Sequence, residues 1–298
     1  MSRHLFCFGL GYSARVLARR LLAEGWTVSG TVQDPARNPA DGITLHAYSG
    51  AAPLPETVFD GVTHVLSSVP PAREGGDTDT EQDGGDPVLR HHAALLRQKL
   101  HDGSLQWAGY LSTTGVYGDH GGNWVDEDTP IDPDLPRSAR RARAEAAWLA
   151  LGGPVHAFRL AGIYGPGRSA LDSMRSGTAR RVIKPGQVFC RIHVDDIAAV
   201  VRASLLQPNP GRIYNVCDDE PAPPQDVIAH AATLLGLPVP PDLPIEQAAL
   251  SPMAASFYAD NRRVRNTRIK QELGVTLTHP TYRHGLETQL AGQSRAAE

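Results

Sequence analysis

Gly9-Leu10-Gly11-Tyr12-Ser13-Ala14 decides how this chain is read. It follows the apolar run 5–8 and opens a stretch, 13–25, with helical spacing. In that stretch Val16, Leu17, Leu21 and Leu22 share one face, and Arg15, Arg19, Arg20 and Glu24 the other. A strand that ends in a tight glycine turn and opens a helix is the setting of the G-x-G-x-x-G/A fingerprint. There Gly9 permits the turn, Gly11 lets backbone approach a pyrophosphate, and Ala14 lets helix and strand pack closely. Leu10, Tyr12 and Ser13 complete the loop, and the helix start offers N–H groups and partial positive charge to phosphates. Gly25 then ends the helix as a left-handed cap. The plainer reading is a glycine-rich turn that only packs; the strand–helix–strand frame favours a dinucleotide at 9–14.

Working outward, 26–32, 42–46 and 64–69 read as strands, the last stopped by Pro70-Pro71. Helical spacing returns at 88–100, 138–151 and 195–206, with strands at 107–112 and 155–160 between them. This alternation predicts an α/β fold: a Rossmann-type doubly wound parallel sheet with right-handed crossovers and a small C-terminal substrate lobe. Residues 1–165 form the dinucleotide-binding core in this reading. Residues 166–298 supply the rest of the core, around 188–217, and the lobe, where prolines after Pro208 separate short elements. The polar stretch from Glu74 to Asp86 is a loop. Its Asp79, Glu81, Asp83 and Gly84 fit positions one, three, five and six of a calcium loop, but Arg90 stands where the twelfth position needs glutamate, so no metal is expected.

Composition sets the outer bounds. A 298-residue chain with 41% hydrophobic and 20% charged residues can bury a substantial core. A net charge of −3 gives no global field for nucleic acid or anionic membrane. No run reaches the length of a membrane span. Cys7, Cys190 and Cys217 lie far apart, which fits a reducing cytoplasm and neither a disulfide framework nor structural zinc. A small-molecule substrate is the expected partner, with a homodimer allowed.

At the end of the second strand, NAD preference calls for an acid that takes the ribose hydroxyls. That end reads Thr31-Val32-Gln33, Asp34 arrives late, and Arg37 is the nearest cation for a 2′-phosphate. NADP is therefore the expected cofactor and NAD the alternative, with Gln33 and Arg37 beside the ribose.

Three further stretches carry a family likeness. Leu111-Ser112-Thr113-Thr114-Gly115-Val116-Tyr117-Gly118 resembles the "SS…VYG" strand of the extended short-chain dehydrogenase/reductases, the epimerase/dehydratase group. Arg159 to Gly167 resembles their "R…YGPG" segment, and Arg191 to Ala198 their "HVDD" helix start, with Tyr214-Asn215-Val216 after it. The branch with a Gly-x-Gly-Tyr loop and a "SVPP" fourth strand fits best. That likeness implies that Ser67, Ser68, Val69 and Pro70 border the cofactor.

The resemblance implies a Ser/Thr, a Tyr and a Lys as catalytic residues. Thr113 matches the first. Glu145 matches the glutamate four residues after the Lys, which places Lys at Arg141 and Tyr at Arg137. Arginine keeps its proton at working pH, so Arg137 cannot act as the family's tyrosine does, while Arg141 could still bond a cofactor ribose. Tyr117, His120 and Tyr164 are candidate substitute acids, each with a packing role as the plainer reading. His193 is a candidate substrate contact that could equally bond backbone at its helix start. In the basic run Arg175, Arg180, Arg181 and Lys184, Arg180 and Lys184 would meet an anionic substrate, unless the run is simply a solvated face. Two functions remain open. One is an NAD(P)-dependent epimerase or reductase for a sugar-like or other small polar carbonyl or alcohol, with nonstandard acid–base residues. The other is an NADP-holding sensor without turnover.

Overall fold

The computed structural model describes residues 3–72 and 83–296. Asp79 and Glu81 of the calcium reading, with most of their polar stretch, lie outside these residues. The first half runs β1 (His4–Phe8), α1 (Tyr12–Ala23), β2 (Thr27–Val32), β3 (Thr44–Ala47), β4 (His64–Ser67), α2 (Pro87–His101), β5 (Trp107–Thr113) and the short β6 (Trp124–Val125). It continues through α3 (Pro136–Leu149), β7 (Val155–Leu160), β8 (Gly162–Tyr164), α4 (Ala170–Arg175), β9 (Arg181–Ile183), β10 (Arg191–His193), α5 (Val194–Leu206) and β11 (Ile213–Val216). The last part holds α6 (Pro224–Leu234), β12 (Asp242–Pro244), α7 (Pro252–Ala259), β13 (Arg263–Val264), α8 (Thr267–Leu273) and α9 (Tyr282–Ala296).

Seven strands form one parallel sheet in the order β3-β2-β1-β4-β5-β7-β11. Strand β1 shows why it sits in the middle. Its alternate side chains Leu5 and Cys7 enter one core and Phe6 and Phe8 the other, all fully buried. On the first face Leu17 and Leu21 of α1 pack with Ile197 and Val201 of α5; on the second, Leu89 and Leu96 of α2 pack with Trp148 of α3. Burial of each such large side chain contributes about 1.5–3 kcal/mol. A third, smaller cluster gathers Leu171, Val227, Ala231, Tyr282 and Leu286 around Tyr164.

Strand order reverses between β1 and β4, so the loops that leave those two strands diverge and open a crevice beyond the carboxyl ends. Element ends differ from the sequence reading where proline is involved. Pro87 and Pro136 each occupy a first helical turn, where a missing N–H costs nothing, so α2 and α3 start earlier than 88 and 138. The second shift places Arg137 inside α3. Pro224 and Pro252 likewise start helices, so part of the tail expected as turns is helical.

Candidate active site

The first wall of the crevice is backbone. Gly9 has φ +80°, and a β-carbon there would lie 2.9 Å from Ser68 Oγ and 3.1 Å from the Val69 side chain. The turn is tied down on both sides: Gly9 N–H donates to Thr31 Oγ1 (2.8 Å), Leu10 N–H to the Thr31 carbonyl (2.8 Å), and the Ser68 hydroxyl to the Gly9 carbonyl. Gly11 caps α1 in ordinary extended backbone, φ −83°, with no side-chain cap on the free N–H groups among the described residues and no acid in the first turn. A β-carbon at Gly11 would meet nothing within 4 Å. An open cradle before an uncapped twelve-residue helix fits a dinucleotide pyrophosphate.

The second wall is made of side chains. Thr113 ends β5, and its Oγ1 accepts the Gly115 N–H (3.1 Å) as the chain turns. Helix α3 is fixed beside it by Glu145, a buried carboxylate that accepts from the Ser112 hydroxyl (2.5 Å) and pairs with Arg159 (2.6 Å). That anchor sets the register, and Arg137, Ser138 and Arg141 all line the crevice. Arg141 donates to the Tyr110 hydroxyl (3.0 Å) and the Leu111 carbonyl (3.1 Å). Arg137 lies over the Phe257 ring (4.6 Å) and donates to Met253 Sδ (2.9 Å).

These walls enclose a cavity of about 750 Å³ that runs from Gly11–Ala14 past Ser68 to Thr113, Arg137 and Arg141. Tyr164, Arg168, Arg191 and residues of α7 complete it. Among the described residues five arginines line it, 137, 141, 168, 191 and 262, against one carboxylate, Asp260, which already pairs with Arg262 (3.0 Å). Burial, and then the charge of Arg141, holds the Arg137 pKa below its ordinary value, with Asp260 opposing.

Most other sequence candidates fall outside this cavity. Tyr117 is fully buried and does not line the cavity; its hydroxyl donates to Asn215 Oδ1 (2.8 Å), and burial pushes its pKa up to about 12. Tyr164 does line it, but its hydroxyl points to the Thr281 carbonyl (3.4 Å), and burial raises its pKa far above the usual range. His120 bonds the Tyr117 carbonyl (3.1 Å). His193 is buried outside the cavity: its Nδ1 accepts the Asp195 N–H (3.2 Å) at the start of α5, and its ring lies tilted against His279, centroids 3.7 Å apart. Lys184 donates to the Tyr258 carbonyl, and Arg180 lines a second cavity of about 640 Å³ that shares Tyr164, Arg168 and Arg191 with the first. Ser67 is buried at the end of β4, and Val69 packs on Gly9. Gln33 is exposed, and Arg37 reaches Asp34 (3.3 Å), whose carboxylate also accepts the Ala36 N–H (3.0 Å).

Sequence reasoning passed over Arg168, Arg191, Arg262 and the whole of α7. Arg168 follows one motif that was read and Arg191 opens another, but neither arginine carries a spacing signal of its own. Helix α7 hides in a proline-bearing tail.

No family model matches the chain. Among curated proteins it is 30% identical over 254 residues to protein YeeZ of Escherichia coli K12, covering 78% of this chain and 84% of that one. It is 29% identical over 315 residues to a 3-diazoavenalumate denitrifying reductase of a Streptomyces species, covering 95% and 99%. Among solved structures, a conserved protein of unknown function from Silicibacter pomeroyi is 50% identical, with TM-score 0.87 over 98% of this chain and 99% of that one. A putative NAD-dependent epimerase/dehydratase from Methylobacillus flagellatus is 26% identical, with TM-score 0.70 over 98% and 99%. A Bacillus anthracis dTDP-glucose 4,6-dehydratase in complex with NAD shares the fold at 17% identity, with TM-score 0.77 over 99% and 97%. Among the described residues no helix is long and apolar enough to cross a membrane. With the fingerprint turn at the reversal of strand order, the Thr113 strand and these relatives together, the chain belongs to the extended short-chain dehydrogenase/reductase family, in its NAD-dependent epimerase/dehydratase group.

Proposed function

We propose that this protein binds NADP(H) along Gly9–Ala14 and carries out reductase-type chemistry on a small polar substrate held between Thr113 and the arginines of α3. One observation carries this reading: a single cavity joins the uncapped α1 terminus to Thr113, Arg137 and Arg141. When bound, the nicotinamide supplies or accepts the hydride. The free N–H groups at the start of α1 would hold the pyrophosphate of a bound cofactor, and Arg141, at the family's lysine position, would bond its ribose. Thr113 orients the substrate oxygen. Arg137 donates hydrogen bonds and positive charge where the family has a proton-transferring tyrosine.

Such a site favours reactions in which charge, and not a relayed proton, stabilises what forms. The denitrifying reductase supports this, since its name describes reduction of a diazo compound with loss of nitrogen. NADP is preferred because Asp34 is engaged by its own turn and by Arg37, leaving it poorly placed to take ribose hydroxyls. Calorimetric titration should give NADP binding at least as tight as NAD, and a clear NAD advantage contradicts the preference. A crystal structure with NADP tests the assignment itself: Thr113 and Arg141 should border the nicotinamide riboside. The absence of a tyrosine at position 137 supports a second reading, a cofactor-holding sensor. That reading gains if the loaded protein reduces no carbonyl, alcohol or diazo probe.

A further inference from the structure

We infer that Arg137 is a receptor for a planar carboxylate on the substrate, supplied by a small acid with an aromatic or other flat apolar body. The inference deepens the reading above and rests on it. Arg137 and Arg141 stand one helical turn apart on the cavity side of α3, so two positive charges share one wall. Neither guanidinium has a carboxylate partner among the described residues. Arg141 is held by a phenol and a backbone carbonyl, Arg137 by a thioether and an aromatic face.

These contacts position the Arg137 guanidinium without neutralising it, and thioether sulfur is only a weak acceptor. Among the described residues the one lining carboxylate, Asp260, influences Arg137 through space but is paired with Arg262. An exposed guanidinium that lines the cavity beside a second cation is stabilised most by an incoming anion. The planar fork of arginine matches a carboxylate with two parallel hydrogen bonds.

The body of the ligand follows from the neighbouring surface. Leu135, Leu160, Phe189, Phe257 and Tyr258 line the same cavity as the guanidinium. Phe257 stays half exposed although it borders the site, so an apolar ring laid against it would remove that surface from water.

The test uses the full chain. NADP+ binding is measured first by calorimetry, so failure of the cofactor reading shows separately. The loaded protein is then titrated with benzoate and trans-cinnamate, with benzamide and cinnamamide, and with inorganic phosphate. At least one acid should bind roughly 30-fold more tightly than its amide, and phosphate more weakly than that acid. Arg137→Gln should abolish the preference for the acid while NADP+ binding stays within twofold. Arg137→Lys, which keeps the charge but loses the fork, should retain only part of it. The inference is overturned if acid and amide bind alike, if neither acid binds the loaded protein, if phosphate binds more tightly, or if both variants keep the wild-type preference.

Discussion

The Gly9–Ala14 wall of the cavity is built from backbone that no side chain could replace, whereas the Arg137–Arg141 wall is built from long side chains on an anchored helix. At the first wall the constraint is steric and local: a φ of +80° and a β-carbon clash with Ser68 and Val69 leave glycine alone at position 9. At the second wall the local backbone is ordinary helix, and everything depends on register. That register comes from Glu145, two turns beyond Arg137, through its bonds to Ser112 on β5 and Arg159 on β7. A backbone site breaks where it stands; a side-chain site breaks at its anchor.

The largest effect should therefore come from a residue that does not line the cavity. Glu145→Ala leaves Arg159 buried without its charge partner, a loss of about 3–5 kcal/mol. Thermal unfolding should show a fall of roughly 10 °C. Arg137→Gln, in the cavity itself, should change stability by less than about 1 kcal/mol, since among the described residues Arg137 has no charged partner to lose. If the two variants melt alike, the anchor account of the second wall is wrong.

The glycine pair sharpens the contrast within the first wall. Gly9→Ala forces a β-carbon into an occupied, left-handed position and should destabilise by about 1–3 kcal/mol, read by urea unfolding. Gly11→Val points into open space from extended backbone and should cost at most about 1 kcal/mol. Equal losses for the two would mean that the turn is not held as described.

These differences also explain what could be read from the residues alone. The turn at 9–14 was legible because glycine spacing encodes steric necessity, and β1 because its apolar residues are few and consecutive. Arg137 and Arg141 could be placed only by counting back from Glu145 within a family likeness. Tyr117 shows the limit. The motif that carries it ends a strand at the crevice, but one further 3-10 turn, Thr114–Tyr117, swings the ring into the core. Helix α7 was missed because proline at a helix start looks, in sequence, like proline in a turn.

A smaller effect is expected from pH, on the face of α3 turned away from the cavity. Asp86 caps α2 through the Val88 and Leu89 N–H groups and accepts from Trp148 Nε1 (3.1 Å), joining the two helices. Burial outweighs these bonds and raises its pKa to about 6, from an ordinary 3.8. Between those values the folded chain keeps a proton that the unfolded chain has released. The Asp86 contribution is thus fully present below about pH 4 and declines as pH rises towards 6, by at most about 1.4 kcal/mol per unit. Asp86→Asn should remove that slope from a series of urea titrations between pH 4 and 6; an unchanged slope would place its origin elsewhere.

The central claim is that a dinucleotide lies in the open cradle at Gly11, and ligand-dependent melting tests it most directly. Binding to the folded state alone, at a hundredfold excess over Kd, adds about 2.7 kcal/mol. NADP(H) should therefore raise the wild-type Tm by several degrees. Gly11→Val should melt near the wild-type apo temperature and show no shift, because its side chain fills the space where the pyrophosphate would lie. A wild-type curve unmoved by millimolar NADP(H) and NAD(H), or a Gly11→Val protein that keeps the full shift, would contradict the account.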